Sequence, residues 1–155
     1  MSNQNFVRTM VRDDLPALVP VLDDTGLFPA DLLAEMAEPF LSGALPHHWL
    51  VAAHDNRIGG FAYCEPERAT NGTFNLLAIA VDPAMQGCGL GSALIAALEQ
   101  QLRAEGARVL IVETSALDAY ADSRAFYLAR GFSEEARIRD FYDQGEDKVV
   151  FWKPL

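Results

Sequence analysis

Basic residues are scarce in this chain. Its 12 lysines and arginines stand against 22 aspartates and glutamates, a net charge of −10 over 155 residues. A surface of that sign repels a phosphate backbone, so no nucleic-acid partner is expected. It favours a cationic ligand such as an amine. Cysteine is rarer still: Cys64 and Cys88 are the whole supply. Neither their number nor their spacing makes a disulfide framework. His47 and His48 have no cysteine or glutamate at metal-ligand spacing, so no metal is expected. No apolar run approaches the roughly 18 residues that span a bilayer. Met1-Ser2-Asn3-Gln4-Asn5 lacks the apolar stretch of a signal peptide. A soluble, cytoplasmic protein without a membrane partner is the expectation. The length suits a single domain, residues 1–155, with a substantial core.

What is present centres on residues 73–106. Thr73 to Val81 reads as a strand, and the unbroken apolar run Leu76 to Val81 predicts burial on both faces. Asp82-Pro83 follows, then Gln86-Gly87-Cys88-Gly89-Leu90-Gly91-Ser92. A helix comes next, with Leu90, Ala93, Leu94, Ala97, Leu98 and Leu102 on one stripe and Glu99, Gln100 and Arg103 outward. Gly106 stops it. Glycines at the start of a helix let a ligand's oxygens approach N–H groups that lack internal partners. The loop therefore reads as an anion site, ahead of the alternative that its glycines only turn the chain. Gly91 is followed by Ser92 and Ala93, not by lysine, which disfavours ATP or GTP. Ser92 stands where a dinucleotide fingerprint has its third glycine.

The rest of the chain supplies short alternating elements. Phe6 to Met10 is a first strand. Asp13 or Asp14 caps a helix, Pro16 fits its first turn, and Pro20 should kink or shorten it. Pro29 and Asp31 open a second helix with Leu32, Leu33, Met36 and Phe40 buried, and Pro39 marks its end. Trp49 to Ala53 and Ile58 to Cys64 are strands around an Asp55-Asn56 turn. Arg108 to Glu113 is a strand. Ala119 to Arg130 is a helix with Ala125, Phe126 and Ala129 inward. Strands at Ala136 to Tyr142 and Lys148 to Lys153 finish the chain.

Gln86-x-x-Gly89-x-Gly91 resembles the acyl-CoA pyrophosphate loop of the GNAT acetyltransferase superfamily. Ile79-Ala80-Val81-Asp82-Pro83 is similar to that family's lead-in strand. Tyr127-Leu128-Ala129-Arg130-Gly131-Phe132 resembles its Tyr-x-x-x-Gly-Phe segment. The resemblance covers nearly the whole chain. It implies an α/β (α+β) GNAT fold: a mixed, mostly antiparallel sheet of about seven strands, helices on both faces, and a splayed central strand pair. It implies transfer of an acetyl group from acetyl-CoA to a primary amine, on a small molecule or on a protein or peptide, by a monomer or a homodimer. A non-catalytic acyl-CoA-binding domain with the same fold is the alternative.

Roles follow by position in that family. The Leu77 N–H would face the thioester oxygen, Ile79 and Val81 would pair with pantetheine amides, and Gln86, Gly87, Cys88, Gly89, Leu90, Gly91 and Ser92 would hold the pyrophosphate. Tyr127 matches the proton donor to the CoA sulfur, against the plainer reading of a core aromatic. Tyr120 stands where many members have asparagine, and Ser123 and Arg124 are the substitutes for that cofactor contact. Thr73 and Asn75 occupy the stretch where members often carry a basic glutamate. Glu113 is the alternative base, with Glu65 behind it, and hydrogen bonding to a nearby loop is its structural alternative. Cys88 is a spacer, not a nucleophile. The last two strands and His47 or His48 would border the acceptor, with Arg137, Arg139 and Phe141 on one face and Ile138, Asp140 and Tyr142 on the other.

Overall fold

The computed structural model describes residues 4–155; Met1, Ser2 and Asn3, the start of the stretch inspected for a signal peptide, lie outside them. The elements run β1 (Asn5–Thr9), α1 (Leu15–Thr25), α2 (Leu33–Leu41), β2 (His48–His54), β3 (Arg57–Pro66), β4 (Thr73–Val81), α3 (Leu90–Ala104), β5 (Val109–Ser115), α4 (Ala121–Ala129), β6 (Ser133–Asp143) and β7 (Glu146–Pro154). Seven strands form a mixed sheet in the order β1-β2-β3-β4-β5-β7-β6. β4 and β5 are parallel, while β1–β2, β2–β3, β5–β7 and β6–β7 are antiparallel. No helix among the described residues is long and apolar enough to cross a membrane.

The chain divides into two compact units. One holds the residues through Glu65 together with Leu77–Gln101. Here Trp49 and Val51 of β2 lie opposite Tyr63 and Phe61 of β3. The Trp49 and Tyr63 rings stack at 4.2 Å. These side chains, with Ala78 and Ala80, bury against Leu18, Val21 and Leu22 of α1 and Leu33 and Ala37 of α2. The β2–β3 turn is the expected one, with Asp55 and Asn56 both left-handed (φ 49° and 66°), the geometry a two-residue hairpin demands.

Several local expectations need correction. Asp14 precedes α1 without capping it. Its carboxylate instead accepts from the Val11 N–H at 2.8 Å and from the Arg8 guanidinium at 2.6 and 2.7 Å. That arginine, above all, pulls the Asp14 pKa below its ordinary value. Pro39 stands inside α2 rather than at its end, and α1 runs on past Pro20 to Thr25. The carbonyls they leave without donors belong to Pro16 and Glu35, which are exposed, so water can serve them. Leu32 is exposed while Leu33 and Ala37 are buried. On α3 the buried stripe is Leu90, Leu94, Ile95, Leu98 and Leu102, and Glu99 is buried too. Glu99 lies four residues after Ile95 and three before Leu102, which puts it on the stripe's edge.

β4 is not buried on both faces. Leu76, Ala78 and Ala80 are buried, Leu77 is 47% exposed, and Ile79 and Val81 are half-buried. Apolar residues on one side of the strand are simply left open. One residue of β4 is also unmatched. The Asp82 N–H donates to Gly59 O and the Glu67 N–H to Thr73 O. The chain from Gly59 to Glu67 is one residue shorter than that from Thr73 to Asp82, the signature of a bulge.

The second unit holds Pro66–Leu76 and Leu102–Leu155. The start of β4 pairs with β5 from Thr73↔Val109 to Leu76↔Val112. α4 begins at Ala121 after a 3-10 turn at Asp118–Tyr120. Ala125 and Ala129 are exposed and Phe126 half-buried; Tyr127 is the buried residue of this helix. The aromatic residue occupies the inward position because Phe132 and Phe151 meet it there, with ring centroids at 5.8 and 5.6 Å. β6 is exposed along its full length and does not alternate strictly. Its register with β7 breaks between Ile138 and Asp143, where Asp140 is left-handed (φ 52°).

Candidate active site

The glycine loop lies in the first unit. Asp82 starts it: its carboxylate accepts from the Ala84 N–H at 2.9 Å and caps the 3-10 turn Pro83–Met85. Gln86 reaches back to Val81 O at 3.4 Å. Gly87 and Gly89 are left-handed, at φ 86° and 85°. A side chain at Gly87 would meet nothing within 4 Å, so open space fronts the loop. Among the described residues, the N–H groups of Gly87 and Gly89 donate to no protein acceptor. Leu90, Gly91 and Ser92 form the first turn of α3, and Ala93 N–H closes on Gly89 O at 3.0 Å. Donors without a protein acceptor, at the positive end of a 15-residue helix and beside open space at Gly87, suit an anion. The residues present therefore fit a pyrophosphate. Cys88 is half-buried, and its thiol takes no part in this donor set.

A second glycine pair, absent from the sequence reading, sets this loop on the sheet. A Cβ on Gly59 would come 1.9 Å from Met85 Sδ and 3.3 Å from Leu90 Cδ1. One on Gly60 would come 3.0 Å from Ala80 O. Two glycines in mid-strand signal close approach of another segment, and that signal was available. Gly59→Val should displace Met85 and the loop. We expect acetyl-CoA affinity to fall at least tenfold and the melting temperature to drop; calorimetric titration and thermal unfolding would check both.

His47, Tyr63 and Glu65 form a chain in the same unit. His47 Nε2 donates to Glu65 at 2.9 Å, and the Tyr63 hydroxyl reaches His47 Nδ1 at 3.5 Å. Burial, with the Glu65 carboxylate adding to it, pushes the Tyr63 pKa up. Glu65 is thus engaged with a histidine. Leu77, Ile79 and Val81 form the open side of β4 already described.

Tyr127, Glu113, Ser123 and Arg124 lie in the second unit. The Tyr127 ring is buried, yet its hydroxyl has no hydrogen-bond partner among the described residues. Burial pushes its pKa up to about 12. It is a protonated, unspent donor throughout the neutral range. Glu113 is ion-paired to Lys148 of β7 at 3.1 Å, and that buried ammonium also sits 3.8 Å over the Phe141 ring. β4 offers no competing acid or base, having no titratable side chain. Arg124 Nη1 donates to Ser115 O and Leu117 O, both at 2.8 Å, so it fastens the β5–α4 connection. Ser123 and Tyr120 are exposed. Arg137 binds Asp147 at 2.6 Å, and the Asp140 carboxylate accepts from the Gly145 N–H at 2.9 Å. Lys148 and the His47–Glu65 pair escaped sequence reading as partners, because strand pairing alone brings them together.

The chain thus combines a mixed seven-stranded sheet with a glycine loop opening its third helix. The sequence profile of the acetyltransferase (GNAT) family matches residues 14–132, and the chain belongs to that family. The [ribosomal protein bS18]-alanine N-acetyltransferase of Escherichia coli K12 is 29% identical over 97% of this chain and 98% of its own. The crystal structure of the E. coli ribosomal-protein-S18-alanine N-acetyltransferase superposes with a TM-score of 0.78 at 25% identity, covering 97% of this chain and 94% of that one. A GNAT-family protein from Desulfovibrio desulfuricans gives a TM-score of 0.88 at 36% identity over 97% and 99% of the two chains. The Salmonella typhimurium protein yncA, solved with its cofactor acetyl-CoA, shares the fold at 19% identity and a TM-score of 0.78, over 99% of this chain and 95% of that one. The chain is an acyltransferase of the GNAT family.

Proposed function

We propose that the chain transfers the acetyl group of acetyl-CoA to the α-amine at the N-terminus of a protein, acting as one domain over residues 1–155 in the cytoplasm. The observation that carries the cofactor half is the loop with two unengaged glycine N–H groups at the head of α3. Its donors suit the pyrophosphate of CoA. The relative whose acceptor is the alanine of a ribosomal protein supports the acceptor half.

The chemistry asks for a neutral amine, a donor to the carbonyl oxygen and a proton for the leaving thiolate. In this proposal the Leu77 N–H, next along β4 after the last printed β5 partner at Leu76↔Val112, polarises the thioester carbonyl. Ile79 and Val81 align the pantetheine amides as an added strand would. Glu113 removes the proton from the attacking nitrogen, directly or through water. An ion-paired carboxylate suffices, because the nitrogen becomes strongly acidic as the new N–C bond forms. Tyr127 supplies hydrogen-bond and proton support to the departing sulfur. Cys88 takes no part, and attack is direct.

The deciding experiment incubates the purified protein with acetyl-CoA and a panel of acceptors. The panel holds peptides with free N-terminal alanine, their N-blocked forms, lysine-containing peptides, polyamines, amino acids and aminoglycosides. Mass spectrometry should find acetyl on the free N-terminal amine and not on the blocked peptide. Turnover confined to small-molecule amines would overturn the protein acceptor, and CoA release with none of them would overturn the function.

A further inference from the structure

Asn5 stands at the glycine loop although 83 residues separate it from Cys88. Its Nδ2 donates to Cys88 O at 2.6 Å. A carbonyl oxygen only accepts, so the amide must turn its NH2 group to the loop. Its Oδ1 then faces His54, whose Nδ1 lies 2.7 Å away and must carry a hydrogen. That N–H exists in one neutral tautomer and in the imidazolium, so protonation of His54 leaves the contact intact. The pairing is built into the sheet: Asn5 of β1 lies opposite His54 of β2. The neighbouring residues fasten it further. The Asp55 N–H donates to Gln4 O at 3.2 Å, the Gln4 N–H donates to Asp55 Oδ1 at 3.3 Å, and Asp55 Oδ2 lies 3.5 Å from His54 Nε2.

The consequence lies in the peptide that joins Cys88 to Gly89. In a trans peptide the C=O and the following N–H point in opposite directions. Holding Cys88 O towards Asn5 therefore aims the Gly89 N–H away from it. Gly89, left-handed and free of a side chain, stands at one end of this peptide. The peptides on either side are tied by the Cys88 N–H to Met85 O at 3.3 Å and by the Ala93 N–H to Gly89 O at 3.0 Å, and the Asn5 bond holds the one between them. Among the described residues the Gly89 N–H, like that of Gly87, donates to no protein acceptor. We propose that Asn5, oriented by His54, is a positioning residue that aims the Gly89 N–H at the pyrophosphate of acetyl-CoA. The inference rests on the reading of this loop as the pyrophosphate site.

The test compares Asn5→Ala, the isosteric Asn5→Asp and His54→Ala with the parent protein and with Gly89→Val. Asn5→Ala should raise both Kd and KM for acetyl-CoA about three- to tenfold, the worth of one hydrogen bond, with kcat within about twofold. Asn5→Asp should do at least as much, because it sets an acceptor against the Cys88 carbonyl. His54→Ala should move KM in the same direction by less, and the Asn5→Ala/His54→Ala double variant should add little to Asn5→Ala, since both act through one contact. The Gly89 amide resonance should shift on adding acetyl-CoA to the parent protein and shift less in Asn5→Ala. Folded Asn5 variants with parental Kd and the full Gly89 shift, alongside a Gly89→Val protein that has lost binding, would overturn the positioning role alone. Retained binding in folded Gly89→Val would overturn the pyrophosphate site, and the role of Asn5 with it.

Discussion

Tyr127→Phe is expected to lower kcat by about 10²-fold or more while leaving acetyl-CoA affinity nearly unchanged. The change keeps a ring that Phe132 and Phe151 pack against and removes only the hydroxyl. Among the described residues that hydroxyl has no hydrogen-bond partner, so none is lost with it. Stability should therefore change little, and a fall in kcat reports chemistry. The pH profile gives an independent check. Burial raises the Tyr127 pKa to about 12, so the donor keeps its proton through neutral and mildly alkaline pH. As pH rises, kcat/KM should climb with the deprotonation of the acceptor amine and then level off. No decline belonging to Tyr127 should begin below about pH 11, close to its raised pKa. The folded pKa stands above the ordinary value of 10.0, so Tyr127 costs the fold nothing below pH 10, and stability is lost as pH rises towards 12. An unchanged kcat in Tyr127→Phe, measured where chemistry limits turnover, would reduce the residue to packing.

Gly89→Val should abolish acetyl-CoA binding in a protein that still folds. Gly89 is left-handed at φ 85°, a conformation a β-branched residue strongly resists. A Cβ there would lie 3.5 Å from Asn5 Nδ2, an ordinary contact, so crowding is not the main effect. The loop would have to change its backbone, and the N–H groups at the head of α3 would lose their common aim. Calorimetric titration with acetyl-CoA should show no saturable binding at concentrations about 100-fold above the parent Kd, which corresponds to a loss of about 2.7 kcal/mol. Binding within tenfold of the parent value would show that the anion is held elsewhere.

The parts of the candidate site that local sequence carries are those the sequence displays directly. The spacing of Gly87, Gly89 and Gly91 marks a helix start open to an anion, and Tyr127 stands at a fixed distance from Gly131-Phe132. The seven strands and the four main helices were legible too, from periodicity and turn residues. What stayed hidden depends on pairing between distant segments. Nothing near Asn5 announces Cys88, and nothing near Glu113 announces Lys148. β4 misled for another reason. Leu77, Ile79 and Val81 are apolar, and apolarity does not tell which face of a strand the fold will cover. The last strand pair misled because a left-handed aspartate breaks the alternation that its side chains otherwise follow.

That break at Asp140 bears on how the protein behaves in a crowded solution. β6 closes one end of the sheet order and is exposed along all eleven of its residues. A straight terminal strand with Ile138, Phe141 and Tyr142 exposed would invite another chain to zip onto its free backbone groups. The left-handed turn at Asp140 interrupts that template. Asp147 locks the interruption, accepting from the Asp140 N–H at 2.9 Å and from Arg137 at 2.6 Å. These two contacts, the backbone one foremost, draw the Asp147 pKa down, so the lock keeps its charge well into mild acid. Glu134, Glu135, Arg137 and Arg139 add charge along the same strand. An incoming strand would find no straight run of donors and acceptors long enough to hold it.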